Sequence, residues 1–447
     1  MNNSNNQDII ITGAGLVGAV QALLFAKAGF NVAVIERSAL RSIQNSSQGS
    51  SDNLSSDAIS SRTVALSHRS WQLLCSAGLW PDVECWPIKT VHVTAQGRFG
   101  SVKIHAERLE VEALGYVVPN TGFESYLHTL VEQASNIKVI EHASVVSVEN
   151  HQQSVAVTFE QSGLLTTLNA QLAIAADGTH SAIRKMLRIE TRQHHYQQCA
   201  VHANVQTAKS LSGYAFERFT DEGPLALLPL SSTAKSGGDH LYSMIYTAAA
   251  SEANRLTEAS DQEFLHLLQQ KFGGRLGRFE KVGRRFVTPL MLTVSEKQIE
   301  GRCVLIGNAA RTLHPVAGQG MNLALRDVFE LTSCIVGELD RSPANTVANP
   351  ADIHAVDKNE TIETALAAFK KRRSRDQWRV TRQTDLLARA FTAKPWPVRM
   401  PLSLLASSSF LVLDFISPLK KAFAVGNMGR HVPLPPNAQP ANVHTDR

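Results

Sequence analysis

Much that would assign a function quickly is missing from this sequence. The five cysteines, Cys75, Cys85, Cys199, Cys303 and Cys334, include no CxxC pair. They read as scattered reduced thiols, which argues against a disulfide framework and a thiolate metal site. No metal-ligand spacing stands out elsewhere, so no metal is expected. No stretch reaches ~18 uninterrupted apolar residues, so no spanning helix is expected. The opening MNNSNNQD has no basic region ahead of an apolar stretch. A secretory signal is therefore not expected, and a cytoplasmic location is. There is no internal repeat. The formal net charge is only +5 over 447 residues, too little to call for nucleic acid. It fits an anionic cofactor or a negatively charged membrane surface equally well. Hydrophobic residues at 43% and charged residues at 19% are ordinary globular usage, which excludes disorder for the chain as a whole. The length supports two or three domains with sizeable cores.

What is present begins with a strand–turn–helix–strand pattern. Ile9–Thr12 is a short apolar strand, 13–18 is glycine-rich, Val20–Ala28 is an apolar helix stopped by Gly29, and Val32–Ile35 is a second strand. That order is a βαβ unit with parallel pairing. Its turn, Gly13-Ala14-Gly15-Leu16-Val17-Gly18, is a GxGxxG in the required context. Gly13 allows the tight turn, Gly15 lets a pyrophosphate approach the backbone, and Gly18 lets helix and strand pack closely. The helix N-terminus supplies N–H donors and positive dipole to the phosphates. Glu36 ends the second strand, and its carboxylate can accept from ribose hydroxyls. An acid here disfavours a 2′-phosphate, so the pocket suits FAD or NAD rather than NADP.

A second motif, Ala175-Ala176-Asp177-Gly178-Thr179-His180-Ser181, runs a buried strand into a DG turn and a helix capped by Ser181. Alone it is equally a plain capped turn. A third motif follows the buried strand Arg302–Ile306. It runs through Gly307-Asn308 to His314-Pro315-Val316-Ala317-Gly318-Gln319-Gly320-Met321-Asn322. Asn308 is presented at the C-terminal strand edge, where ligands of open α/β sheets sit. Gly318 and Gly320 let the backbone approach a flat ring, and a helix starting near Gly320 would aim N–H groups at it. A glycine-rich connection that binds nothing has the same sequence.

Between Val139 and Ala176, and again from Cys199 to Pro289, the pattern is β. One helical stretch, Asp261–Phe272, interrupts the second region. A polar segment over Ser38–Ser61 is a solvated loop, and Ser342–Asn359 is a linker. Thr361–Ala393 is helical and carries the basic cluster Lys370–Arg375. Pro397–Ala424 is apolar, interrupted by Asp414, and followed in part by Lys420 and Lys421. It either packs on the nucleotide-binding domain or rests on a membrane surface.

Together, in this order, the three motifs resemble those of the class A flavoprotein aromatic hydroxylases. GNAARTLHPVAGQGMNLALRD, AADGTHSA and AFERFTDEGPLALLPL are most similar to the ubiquinone-biosynthesis hydroxylases, and especially the 6-methoxyphenol subgroup. The resemblance implies an α/β fold: a Rossmann-like FAD-binding domain, an inserted mixed-sheet substrate domain and C-terminal helices. It places residues 1–85, 116–190 and 302–340 in the first, 86–115 and 191–301 in the second, and 360–430 in the third. Glu36, Arg37, Arg62 and Asp177 are then FAD-binding, with Gly13, Ala14, Gly15 and Gly18 in the phosphate loop. Gly307 and Asn308 follow, and Gly318, Gln319, Gly320, Met321 and Asn322 lie along the flavin ring. The general family has GD where this chain has Gly307-Asn308; asparagine can still hydrogen-bond the ribityl chain. Pro315 shapes the oxygen-reaction site, and His314 is the catalytic candidate or a structural side chain bonding the backbone. Tyr214 and Arg218, on a strand of the substrate domain, are further candidates.

The implied reaction inserts one oxygen atom of O2 into a polyprenylated phenol. NAD(P)H acts as a transient reductant, because no second GxGxxG exists to hold it. Other ubiquinone-biosynthesis proteins and a peripheral membrane contact are the implied partners. Flavin halogenases share the fold, but their WxWxIP signature is absent. A disulfide reductase would need a redox cysteine pair. An FAD-dependent prenyl reductase and a non-catalytic biosynthetic subunit remain as alternatives.

Overall fold

The computed structural model describes residues 7–41, 62–97, 100–230, 240–341, 358–392 and 428. Its centre is a six-stranded sheet in the order Ile299–Glu300, Cys303–Leu305, Leu172–Ala175, Ile9–Thr12, Val32–Ile35, Ile137–Ile140. All neighbours are parallel except the outermost pair, Ile299–Glu300 with Cys303–Leu305. Four strands are buried at every residue, which is why they read as unbroken apolar runs. The helix Leu16–Lys27 connects the first two parallel strands and is itself almost wholly buried. It packs with Asn120–Gln133 and Gln319–Arg341 into one core that includes Val20, Phe25, Leu127, Leu325 and Phe369.

A nine-stranded sheet forms the second layer. Its path is Arg311–Thr312, Phe286–Ser295, Thr191–Thr207, Leu241–Ala249, Pro224–Pro229, Tyr214–Phe219, Thr90–Ala95, Ser101–His105, with Phe279–Val282 also on the long strand. It is mixed, because Tyr214–Phe219 and Thr90–Ala95 pair in parallel. One face is covered by Ala250–Glu258 and Asp261–Phe272, around Val201, Phe216, Leu227, Met244 and Phe264. The first of these helices is not expected from the sequence. Only Ala253 and Leu256 of its nine residues are buried, too few for a clear apolar stripe. The other face packs on the first domain through Ala215, Leu228 and Leu241 against Trp86, Val117 and Ala65. Two three-stranded sheets complete the fold: Ala143–Asn150 with Val155–Gln161 and Leu164–Ala170, and Thr63–Ser67 with Gly115–Pro119 and Trp86–Ile88.

The helix Lys358–Thr392 lies across both layers. Near its start Ile362, Leu366 and Phe369 enter the first core, and further along Ala388 joins Tyr196, Ala200 and Leu290 of the nine-stranded sheet. In between it is pinned by a buried ion network. Asp327 accepts from Arg373 Nε (2.7 Å), Arg311 (3.0 Å) and Gln377 (2.9 Å), and Asp376 accepts from Arg326 Nε (3.0 Å) and Arg373 (2.7 Å). The basic cluster is therefore not all solvated: Arg373 faces inward, while Arg372 pairs with Glu330 nearer the surface. Most of Ser38–Ser61 and all of Pro397–Ala424 lie outside the described residues.

Candidate functional site

The three motifs meet because of strand register. Thr12, Ile35, Ala175 and Leu305 are aligned across four adjacent strands, so everything that follows them emerges at one sheet edge. Gly13–Gly18, Glu36, Asp177 and Gly307-Asn308 are those continuations. Close packing fixes two of the glycines. A Cβ on Gly18 would lie 1.9 Å from the Gly13 carbonyl oxygen, and Gly13 has φ +91° with its own Cβ position 2.6 Å from Ala176 O. Gly15 differs: nothing lies within 4 Å of a Cβ there. The helix behind it has Gly15 as N-cap and no side-chain cap, so its N–H groups and positive end face open space.

Glu36 clasps this loop. One carboxylate oxygen accepts from the Ala14 N–H (2.7 Å), the other from the Ser38 N–H (3.1 Å), and each keeps lone-pair capacity for a ribose hydroxyl. Arg37 next to it is exposed. His128, which sequence reading did not single out, braces the same loop. It is buried, its Nε2 donates to Ala14 O (2.7 Å), and its Nδ1 accepts from the Arg41 N–H (2.8 Å). Asp177 uses one oxygen to accept from the N–H groups of Ala182 (2.7 Å) and Ile183 (3.3 Å). Its other oxygen is buried without a partner. Arg184 ties the second motif to the third, donating to Thr179 O and Ala309 O, each at 2.8 Å.

In the third motif Gly307 takes φ +58°, and Asn308 projects an exposed side chain with no hydrogen bond among the described residues. Pro315 O accepts from the Gly318 N–H (2.9 Å), closing a tight turn into the helix that begins at Gln319. Gly320 has open space before it, Met321 packs on the first core, and Gln319 is buried. The Asn322 side chain is fully used within the protein. Its oxygen accepts from the Ser67 N–H and Ser70 hydroxyl (both 2.7 Å), and its nitrogen donates to Ala65 O (3.1 Å) and Gly318 O (2.7 Å). It clamps the glycine loop onto strand Thr63–Ser67, so any ligand contact at 322 falls to the backbone.

His314 is 1% exposed. Its Nδ1 accepts from the Val316 N–H (3.2 Å), which puts the proton on Nε2, and that atom has no partner. Burial pushes its pKa down to about 4, with Asp385 opposing weakly, so the ring is neutral at pH 7. It meets Tyr196 edge-on at 5.1 Å, and the Tyr196 hydroxyl donates to Asp385 (2.8 Å). Arg62 reaches the domain boundary, its guanidinium 4.7 Å over the Phe286 ring, while neighbouring Thr63 donates to Ser243 (2.8 Å).

Strand pairing also decides which substrate-sheet residues face this region. Val93, Glu217, Ala226, Ile245, His202 and Phe286 form one transverse row across six strands. Paired residues share a face, and Ala215, Leu228, Leu241 and Ser243 on that face contact the first domain. Tyr214 and Arg218 point the other way. Tyr214 packs on the outer core, and Arg218 donates to Lys271 O (2.8 Å) and Thr94. Glu217 and His202 are the residues that sequence reading missed, although period-two alternation through Ala215, Glu217 and Phe219 would have separated Glu217 from its neighbours. His202 is pushed down to about 4 by burial and then by Arg62; burial raises Glu217 to about 7.

The open face of Gly15, the uncapped helix and the unpartnered Asp177 oxygen fit a dinucleotide pyrophosphate and its sugar. The sequence matches the family described as FAD binding domain over residues 6–344. The chain belongs to the FAD-binding domain family. Ubiquinone hydroxylase UbiL of Rhodospirillum rubrum is 27% identical to this flavoprotein, covering 94% of this chain and 89% of the relative. The 3-demethoxyubiquinol 3-hydroxylase of Escherichia coli K12 is 28% identical, with 74% and 79% covered. Among solved structures, p-nitrophenol 4-monooxygenase PnpA from Pseudomonas putida DLL-E4 shares the fold. Its TM-score is 0.69 at 15% identity, over 95% of this chain and 98% of that one. The flavoprotein is an FAD-dependent monooxygenase. No helix among the described residues is long and apolar enough to cross a membrane.

Proposed function

We propose that this flavoprotein hydroxylates the ring of a 2-polyprenyl-6-methoxyphenol in ubiquinone biosynthesis, with NAD(P)H as transient reductant and O2 as oxygen source. The observation that carries the reading is the row of apolar residues Ala226, Ile245 and Phe286 on the sheet face turned to the first domain, in a chain whose relatives include a ubiquinone hydroxylase and a 3-demethoxyubiquinol 3-hydroxylase. Bound FAD supplies the electron transfer and the activation of O2. The residues of the chain do the rest. The helix Leu16–Lys27 and Gly15 hold the pyrophosphate, and Glu36 and Asp177 bind sugar hydroxyls. The helix beginning at Gln319, held by the Asn322 clamp, would offer the positive charge of its N-terminus to the bound flavin. His314, Pro315 and Tyr196 wall the reacting face and keep water away. His314 stays neutral, since its depressed pKa makes it a weak base. We place the substrate-side domain on its strands, within residues 90–105, 191–295 and 311–312.

Turnover of 2-farnesyl-6-methoxyphenol under 18O2 with NADH or NADPH tests this. One labelled oxygen on the ring is the expected product. Reductant oxidation that releases peroxide and leaves the phenol unlabelled would overturn the substrate. Reduction of a prenyl double bond without O2 uptake would overturn the reaction.

A further inference from the structure

The substrate-side sheet face carries two titratable side chains in its transverse row, Glu217 and His202; Arg62, from the flavin-binding side, faces the His202 and Phe286 end of that row, three strands from Glu217. Glu217 is half-buried and makes no hydrogen bond or ion pair with any group among the described residues. Its flanking strand partners are Val93 and Ala226, both apolar, and the next residue along the row is Ile245. Ile245 in turn packs on the cluster of Tyr196, Ala200 and Leu290, and Tyr196 touches His314. A carboxylate in that position is left without a donor on a face otherwise suited to an apolar ring and prenyl chain. A phenolic hydroxyl is the donor such a substrate brings.

We propose that Glu217 accepts the proton of the substrate phenol. The phenol O–H bond breaks, its electron pair stays on the ring oxygen, and the proton bonds to a Glu217 carboxylate oxygen. Negative charge thereby moves from the carboxylate to the ring, which becomes more electron-rich at the carbon to be oxygenated. The proton returns when the product leaves as a neutral phenol, so Glu217 is reset and the net reaction is unchanged. This assignment rests on the phenol substrate proposed above.

The electrostatics favour Glu217 over the other groups present. A free phenol ionises near 10, and transfer is most efficient when donor and acceptor are matched. Burial raises Glu217 from the usual carboxylate range to about 7, whereas His202 and His314 are depressed to about 4. Both imidazoles are thus weaker proton acceptors than Glu217. Arg218, its neighbour in sequence, is directed to Lys271 on the outer face and does not neutralise it.

The test uses the holoenzyme with 2-farnesyl-6-methoxyphenol, comparing wild type, Glu217→Gln and Glu217→Asp. Glu217→Gln keeps FAD and binds the phenol within about threefold of wild type. Its kcat falls by about 10²–10⁴, the range for loss of a general base. The acid limb of the kcat profile near pH 7 disappears, and Glu217→Asp restores part of the rate. Wild-type kcat with an unchanged acid limb in Glu217→Gln would overturn the proposal. A second measurement needs no variant: the ultraviolet difference spectrum of phenol bound to oxidised wild-type enzyme. Bound phenol that stays neutral until well above pH 7 leaves a base necessary and supports it, whereas phenolate already present near pH 5, where Glu217 is protonated, overturns it. Absence of any phenol turnover by the wild type would instead bring down the substrate reading, and this assignment with it.

Discussion

Replacing Asp327 by alanine should unfold a large part of what holds the long C-terminal helix in place. The side chain is 2% exposed and accepts from Arg311, Arg373 and Gln377 at 2.7–3.0 Å. Without it, Arg311, Arg326 and Arg373 share Asp376 as the one buried carboxylate of the cluster among the described residues. Breaking a buried ion pair by deleting one partner typically costs 3–5 kcal/mol, because the surviving charge is stranded. Arg311 loses its carboxylate partner outright and Arg373 keeps only Asp376, so the loss should fall in that range, up to about 5 kcal/mol. That is a third or more of a typical 5–15 kcal/mol total. Urea denaturation followed by circular dichroism measures it, with flavin release as a second probe. Asp327→Asn, which retains the shape and an acceptor, should lose less. Replacing Asp327, Arg311 and Arg373 together by apolar residues of similar size should recover much of the deficit. A loss below about 1 kcal/mol for Asp327→Ala would refute the reasoning, since it would mean the cluster is hydrated and behaves as a surface network.

Three further outcomes follow from the site. Gly18→Ala places a methyl group 1.9 Å from the Gly13 carbonyl oxygen and should yield protein that purifies without flavin absorbance. Glu36→Ala removes the clasp on Ala14 and a ribose acceptor; FAD affinity should fall about 10- to 100-fold, read by fluorescence titration. Acid should destabilise the protein through His314. Its folded pKa is depressed to about 4, so below the unfolded value of about 6.5 the unfolded chain binds a proton that the folded one refuses. The stability it contributes is complete above about pH 6.5 and is lost as pH falls toward 4. At pH 5 the loss should be about 2 kcal/mol, and urea denaturation of His314→Gln should show a correspondingly flatter acid limb.

The flavin-binding half of the molecule was legible because its signals are local. A glycine that cannot carry a Cβ, an acid ending a strand and a DG turn are each readable within a few residues, and parallel pairing alone brings them to one edge. The substrate face was not legible in the same way. Tyr214 and Arg218 were named from their strand alone, and only the register across six strands shows that they lie on the face turned away from the flavin domain. His202 gains meaning only from Arg62, 140 positions earlier in the sequence. The clamp at Asn322 was hidden as well, because its four partners lie on a strand and the helix after it, more than 250 residues away, and on its own loop. The inward turn of Arg373 could have been read. It continues the helical series Ile362, Leu366, Phe369 that lines the core, one turn beyond the last apolar member.

The long helix Lys358–Thr392 behaves as a tie-beam with unequal fastenings. At 35 residues it is roughly 50 Å long. One fastening, around Asp327 and Asp376, grips the helix Gln319–Arg341 and, through Arg311, the edge strand of the substrate-side sheet, with several buried charges. The other, Asp385 to the Tyr196 hydroxyl with Ala388 beside it, grips the substrate-side sheet through one half-buried hydrogen bond and a small apolar contact. Strain applied between the domains will therefore release the Tyr196 end first. That end is also the one touching His314, so the joint that yields is the joint that borders the reacting face.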